Sequence, residues 1–226
     1  MTEPTIQRNR LAALAILLVP LALAACNGDQ QSSGRRPATV SASPPRAAPA
    51  GGLIGGHDNR TRMLTGAGIA PIPGAEVVGY VDRFERELRA RTAGTGIDFV
   101  RRGNELLLTI PARIAFAGNG PAIAPTMRTT LDAVARLLAQ YHQSFVDVSG
   151  FAEQTLDDQA ANGLSQSQAQ ALASYLQTRG VLAARIGAQG FGRSTAAAGR
   201  RVEIKLVPLT EADLPPPPPP APNAGR

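Results

Sequence analysis

The fold is decided by the stretch Val146-Asp147-Val148-Ser149-Gly150 and by the elements that follow it. Apolar and polar residues alternate over residues 145–149, which is the period of a β-strand, and the glycine comes directly after this strand. The sequence next predicts a helix over residues 164–179 and two further strands over residues 186–191 and 200–207. A strand, a helix and two strands that share one core are typical of a sheet covered by helices.

The residues upstream supply the rest of this core. Val77, Val81, Phe84 and Leu88 recur on one helical face, and a second apolar face runs through residues 126–141, so two helices are predicted. Between them, residues 97–101 and 105–110 are predicted to form a β-hairpin that turns at Gly103-Asn104. The whole pattern predicts an α+β two-layer sandwich, with the helices packed on one face of a mixed β-sheet.

The N-terminus has the pattern of an exported protein. Two arginines precede an apolar run over residues 11–25, which is shorter than the about 20 residues that a membrane span needs and is typical of a secretory signal. The run ends in Leu23-Ala24-Ala25-Cys26, which contains the only cysteine of the chain. This motif resembles the lipobox of bacterial lipoproteins, whose cysteine is lipidated and becomes the first mature residue. The alternative is a secreted protein with an incidental cysteine.

These patterns divide the chain into four parts. Residues 1–25 are predicted to be a lipoprotein signal peptide, and residues 26–75 a flexible tether and connector rich in Gly, Pro and Ala. Residues 76–208 form the predicted domain, and residues 209–226 a disordered tail that six prolines stiffen into a polyproline-II rod. For the glycines of residues 51–79, close helix packing in a membrane is the alternative to a flexible connector.

Composition excludes several functional classes. The formal net charge is +6, but aromatic residues make up only 4% of the chain and no run of basic residues occurs, so nucleic acid is not an expected partner. Neither His57 nor His142 has a cysteine or a carboxylate at the spacing that a metal site requires. There is no nucleophile elbow and no phosphate-binding glycine loop. We therefore expect no catalysis, no metal and no cofactor.

Four segments carry a resemblance to a known family. They are the strand that ends at Gly150, the Leu164-Ser165 pair, residues 189–192 (Gln-Gly-Phe-Gly) and residues 200–204 (Arg-Arg-Val-Glu-Ile). In this order they resemble the OmpA-like C-terminal domain, in its peptidoglycan-associated lipoprotein branch, over roughly residues 80–210. The resemblance implies a periplasmic domain, tied to the outer membrane by an N-terminal lipid, that binds the diaminopimelate residue of the peptidoglycan stem peptide without catalysis. An aspartate directly after the lipidated cysteine would favour retention in the inner membrane. The residue at that position is Asn27, which also favours the outer membrane.

The site that the resemblance implies departs from the family pattern. In the family an aspartate meets the ammonium of diaminopimelate, an arginine meets its carboxylate, and an asparagine completes the pocket; the matching residues here are Glu153, Gln168 and Ala161. Losing the charge-assisted pair of the arginine predicts an affinity lower by about ten-fold. The residues of the implied binding site are Gly150, Glu153, Leu164, Ser165, Gln168, Arg200 and Arg201.

Each of these residues has a structural alternative. Ser165 and Gln168 have the spacing of a capping box at a helix start, Glu153 is also explained as a solvated loop acid, and Arg200 and Arg201 either hold wall peptide or pin the last strand. Two functions follow as expectations. The first is a weak, non-covalent link between envelope membrane and cell wall. The second is a structural or protein-interaction module that does not bind diaminopimelate, with the proline tail docking onto envelope proteins.

Overall fold

The computed structural model describes residues 53–194 and 199–215. The predicted signal peptide, Cys26, residues 26–52 of the tether and the tail from residue 216 onwards lie outside the described residues. Within the described ranges, no helix combines the length and the hydrophobicity that a membrane crossing requires.

Five helices and five strands build the described part of the chain. The helices are α1 (His57–Gly66), α2 (Val77–Thr92), α3 (Ala112–Ala115), α4 (Pro125–Gln140) and α5 (Asp158–Thr178). The strands are β1 (Asp98–Arg102), β2 (Glu105–Pro111), β3 (Ser144–Ala152), β4 (Ile186–Arg193) and β5 (Arg201–Pro208). Three short 3₁₀ turns lie at Gly74–Glu76, Ala183–Arg185 and Glu211–Asp213.

The strands form one mixed sheet in the order β1-β2-β5-β3-β4. Neighbouring strands are antiparallel except β3 and β4, which are parallel and are joined by α5. Apolar residues of α2, α4 and α5 pack on one face of this sheet in a single core that includes Val146 and Val148 of β3. The predicted α+β sandwich and the predicted β-hairpin are confirmed, because the periodicities of 3.6 and 2 residues match the faces that are buried.

The opposite face of β3 is covered as well, which the sequence analysis did not anticipate. Every residue of β3 is buried, and Phe145, on the face opposite Val146, packs with Leu64 of α1, Ile69 and Leu209. The prediction of a flexible connector was therefore wrong for residues 53–75, and one short helix lies on the second face of the sheet. The apolar residues of this segment are few and are separated by polar ones, so they show no helical face. They are buried because they cover the second face of the sheet, which the local sequence does not reveal.

The predicted tail also begins too early. Leu209 is fully buried, and the turn Glu211–Asp213 is held by Asp213, whose carboxylate accepts hydrogen bonds from the backbone N–H and the hydroxyl of Thr210 at 2.6 and 2.9 Å. The ordered fold thus continues to at least residue 214. Prolines make up much of this segment, which is typical of disorder. A single leucine before them forms no pattern from which its burial could be predicted.

Candidate functional site

The candidate site lies where β3 ends and α5 packs against it. Gly150 is required at this crossing, because a Cβ atom there would collide with the carbonyl oxygen of Ser165 on α5. Glu153 follows the strand directly, and its side chain is 51% exposed. The end of β3 thus presents one accessible carboxylate beside the helix, at the position that the sequence analysis selected.

Helix α5 begins earlier than predicted. Its N-terminal cap is Asp157, whose carboxylate accepts a hydrogen bond from the N–H of Ala160 at 2.8 Å. The prediction of a helix start at Leu164-Ser165 was wrong, and so was the capping box between Ser165 and Gln168, since both residues lie inside the helix. Asn162 and Gly163 have low helix propensity, but packing of the fully buried Ala161 outweighs it.

Ser165 connects α5 to the end of β4. It is fully buried; its hydroxyl donates a hydrogen bond to the carbonyl oxygen of Asn162 at 3.1 Å and accepts one from the N–H of Gly192 at 2.9 Å. Leu164 beside it is half-buried. Both residues hold the helix against the sheet, and neither presents a polar group to a ligand.

Gln168 is turned toward the loop that precedes α4. Its side chain is fully buried, and its Nε2 donates a hydrogen bond to the carbonyl oxygen of Gly120 at 3.1 Å. Its Oε1 is buried and has no hydrogen-bond partner among the described residues. Gln168 therefore has a structural role, which agrees with the structural alternative given for this residue. Its partner, however, is Gly120 and not the backbone at Ser165.

Residues 117–122, here called the glycine loop, form a part of the site that the sequence analysis missed. The loop closes on itself through a hydrogen bond from the N–H of Ala117 to the carbonyl oxygen of Ala122 at 2.8 Å, and Gly118 takes a positive φ of 64°, which favours glycine. The run Gly118-Asn119-Gly120-Pro121 is a turn signal in the sequence. Nothing in that signal showed which helix the turn would touch.

Arg200 joins the glycine loop to Glu153. Its guanidinium donates hydrogen bonds to Oδ1 of Asn119 at 3.2 Å and to the carbonyl oxygen of Gly118 at 3.4 Å. Its Nε lies 3.7 Å from Oε1 of Glu153. This ion pair is long and one partner is half exposed, so its net contribution to stability is small. The two charges lie close together, but they form no short hydrogen bond with each other.

Arg201 belongs to the fold. Its side chain is 9% exposed and lies 2.6 Å from the carboxylate of Glu203, and it also donates hydrogen bonds to the hydroxyl of Ser194 and the carbonyl oxygen of Gly199. The guanidinium stacks 4.0 Å from the ring centroid of Phe151. The contacts with Ser194, directly after β4, and with Phe151 of β3 pin β5 to its neighbours, which is the structural alternative for this residue.

The arrangement places an exposed carboxylate beside a largely buried guanidinium. Glu153 offers a carboxylate to an ammonium group, and Arg200 offers a planar donor fork to a carboxylate. Within the described residues, no group of three or more His, Cys, Asp or Glu side chains has the geometry of a metal site.

Comparison with known proteins identifies the family. The model of the OmpA family matches residues 115–204, which include the glycine loop and all of the candidate site. The Escherichia coli K12 protein named probable lipoprotein YiaD is 37% identical over 146 residues, covering 60% of this chain and 67% of the relative. The chain belongs to the OmpA family. OmpA-like domains are structural, peptidoglycan-binding modules and not enzymes, so this chain is not an enzyme.

Two solved structures are among those that are similar to this chain. A MotB-like protein of Desulfovibrio vulgaris is 19% identical, with a TM-score of 0.50 and coverage of 59% of this chain and 98% of the other. The cell wall anchor of the T6SS from Pseudomonas aeruginosa is 21% identical, with a TM-score of 0.47 and coverage of 57% and 96%. The first likeness shows that the two proteins have the same fold.

Proposed function

We propose that the protein is a lipoprotein of the outer membrane, anchored through acyl chains on Cys26, whose OmpA-family domain binds peptidoglycan in the periplasm. Support comes from the lipobox-like Leu23-Ala24-Ala25-Cys26 motif, from family membership and from a relative that is itself named a probable lipoprotein. The domain would link the membrane to the wall without chemistry. The proline tail that begins at Pro215 would be available to envelope proteins that recognise polyproline II.

The observation that carries the wall-binding proposal is the loose Glu153–Arg200 pair at the end of β3, with 3.7 Å between Nε and Oε1. Diaminopimelate presents an ammonium and a carboxylate on one carbon. Glu153 would take the ammonium, and Arg200 would take the carboxylate in place of the arginine that Gln168 replaces. Both bonds are charge-assisted and therefore stronger than neutral ones.

The same geometry supports a weak rather than a tight interaction in this proposal. Arg200 would have to share or give up its hydrogen bonds to Gly118 and Asn119, and the amide of Gln168 is already engaged with Gly120. The burial of Gln168 is also the observation that favours the second candidate function, a structural or protein-interaction module without diaminopimelate binding.

A pull-down on peptidoglycan sacculi separates the two candidates. The full chain is solubilised in detergent, and competitor peptides carry either diaminopimelate or lysine, which keeps the ammonium but lacks the second carboxylate. We expect the diaminopimelate peptide to compete better than the lysine peptide. Glu153→Gln and Arg200→Gln should each weaken binding by about ten-fold, the loss of one charge-assisted contact.

Glu76→Gln is the matched control, because it removes the same charge at an exposed position outside the site. It should leave retention on sacculi unchanged. If the wild-type chain is not retained under conditions in which an intact family member is, the wall-binding proposal fails and the interaction-module function takes its place.

A further inference from the structure

The segment of residues 53–71, here called the strap, crosses the face of the sheet opposite the main core. It contains α1 and ends before Ile72, which belongs to the main core. The backbone N–H of Ile72 donates a hydrogen bond to the carbonyl oxygen of Leu209 at 2.8 Å. The strap lies at the N-terminal boundary of the described fold. In the proposed lipoprotein it would be the first folded segment to carry any tension from the membrane anchor.

His57 of the strap lies 2.7 Å from the carboxylate of Asp213 at the surface, and the most deeply buried polar contact of the strap is with Asp147 in the middle of β3. The carboxylate of Asp147 accepts a hydrogen bond from the N–H of Ile54 at 3.2 Å and a second from the guanidinium of Arg60. Arg60 also donates to the carbonyl oxygens of Ile54, at 3.0 Å, and of Arg185. The side chains of Arg60 and Asp147 are 6% and 1% exposed, so the ion pair is shielded from solvent and is not weakened by salt as a surface pair is.

Close packing surrounds this contact. A Cβ atom at Gly187 of β4 would stand 2.7 Å from the Cβ of Ile54, so the chain can approach the sheet only over a glycine. The guanidinium of Arg60 lies 5.1 Å from the ring centroid of Phe145. Leu64 and Ile69 complete a small apolar cluster that is separate from the main core. The strap is therefore packed through contacts of its own, and no buried residue of the main core comes from residues 53–71.

Opening the strap does not strand a buried charge. Nζ of Lys205 on β5 lies 3.8 Å from Oδ2 of Asp147, so Asp147 keeps a cationic neighbour when Arg60 leaves. Breaking a buried ion pair is usually unfavourable because the remaining charge is uncompensated, and here that penalty is reduced. The arrangement holds the strap closed and also permits an open state in which the sheet is still electrostatically balanced.

We propose that the strap is a mechanical latch, which peels from the sheet under tension and lengthens the membrane tether while the domain stays folded. This inference rests on the proposed lipid anchor and wall binding. Nineteen extended residues add at most about 65 Å of chain, at roughly 3.4 Å per residue. The load enters β3 at Asp147, and the candidate wall site begins at Gly150 on the same strand. Tension between membrane and wall would thus act on the latch directly.

Single-molecule pulling tests the latch without lipid or wall. Cell-free synthesis of the full chain leaves Cys26 unmodified as one attachment point, and Glu153→Cys supplies the other. We expect two successive events. The first occurs at low force, is reversible and releases about 19 residues, which is up to about 65 Å; the second unfolds the domain. A single event that releases all of the chain between the attachment points would overturn the proposal.

Three variants locate the contact. Arg60→Met should lower the force of the first event, or abolish it and give a tether longer from the start, with the second event unchanged. Asp147→Asn should also lower the force of the first event, because the amide removes the charge that pairs with Arg60; an unchanged force contradicts Asp147 as a fastening point of the strap. Arg62→Met is the matched control, since Arg62 lies on the same helix and is exposed, and it should change neither event.

The pulling result and the pull-down result are independent. Loss of the first event would remove the latch and leave sacculus binding as measured. Failure of the chain to bind sacculi would remove the proposed function and leave the two-step extension in place.

Discussion

Gln168 on α5 and Gly120 in the glycine loop are joined by a hydrogen bond from Nε2 to the carbonyl oxygen, 3.1 Å long. Through this bond the residue that stands in place of the family arginine supports the loop that contacts Arg200. In this chain the side chain at position 168 supports the fold. The exposed charge of the site is that of Glu153, and the largely buried guanidinium of Arg200 lies beside it.

Removing this support should destabilise the domain. Gln168→Ala leaves the Gly120 carbonyl without its donor and opens a small cavity, and we expect the free energy of unfolding to fall by about 2 kcal/mol. Urea denaturation measures this change. Gln170→Ala, on the same helix but exposed, should stay within about 0.5 kcal/mol of wild type. Equal effects of the two substitutions would mean that the contact with Gly120 contributes nothing.

The start of α5 can be tested through its cap. Asp157→Ala removes the acceptor of the Ala160 N–H and should lower the free energy of unfolding by about 1 kcal/mol, whereas Asp157→Ser keeps a capping oxygen and should recover most of it. Thermal unfolding of both variants gives the comparison. An alanine variant as stable as the serine variant would place the functional helix start elsewhere.

Tyr80 should make the domain sensitive to alkaline pH. Burial raises the pKa of its phenol from 10.0 to about 12. A raised folded-state pKa means that the stabilisation is complete below the unfolded pKa and is lost as the pH rises through 10 toward 12. The loss from this residue should reach about 2–3 kcal/mol.

Tyr80→Phe provides the measurement. The difference in free energy of unfolding between this variant and wild type, followed from neutral pH into this range, should grow in favour of the variant. The comparison is needed because burial also raises the pKa values of Tyr141 and Tyr175, whose titration is common to both proteins. A difference that is constant with pH would show that Tyr80 ionises as easily in the folded chain as in the unfolded one.

The proposed anchor predicts that Cys26→Ala will release the protein from membranes. A single acyl chain binds membranes only marginally, so several chains on one cysteine are needed for a stable anchor. Fractionation after digestion of the cell wall measures the release, and digestion removes retention through peptidoglycan. Glu153→Gln, tested in parallel, should remain in the membrane fraction. A Cys26→Ala protein that persists in washed membranes would contradict the lipid anchor.

Much of the architecture could be predicted because its signals are local and repeated. Helices α2 and α4 show apolar residues at helical spacing, and the β1–β2 hairpin combines alternation with a glycine at its turn. Helix α1 could not be predicted in this way. Its buried residues include Arg60 and Thr61, so it has no apolar stripe, and it is ordered only by its contacts with β3.

For the candidate site, the sequence by itself determined the residue types: an acid at position 153, a glutamine at 168 and paired arginines at 200 and 201. Only the tertiary structure decided their roles. Gln168 donates to Gly120 and Arg201 pairs with Glu203 within the fold, whereas Glu153 meets Arg200 at an edge where the Glu153 side chain is half exposed. The physical reason is that a polar side chain takes whichever partner the packed backbone brings within hydrogen-bond distance. The glycine loop, which lies 48 residues before Gln168, supplies that partner, and no local pattern encodes so distant a contact.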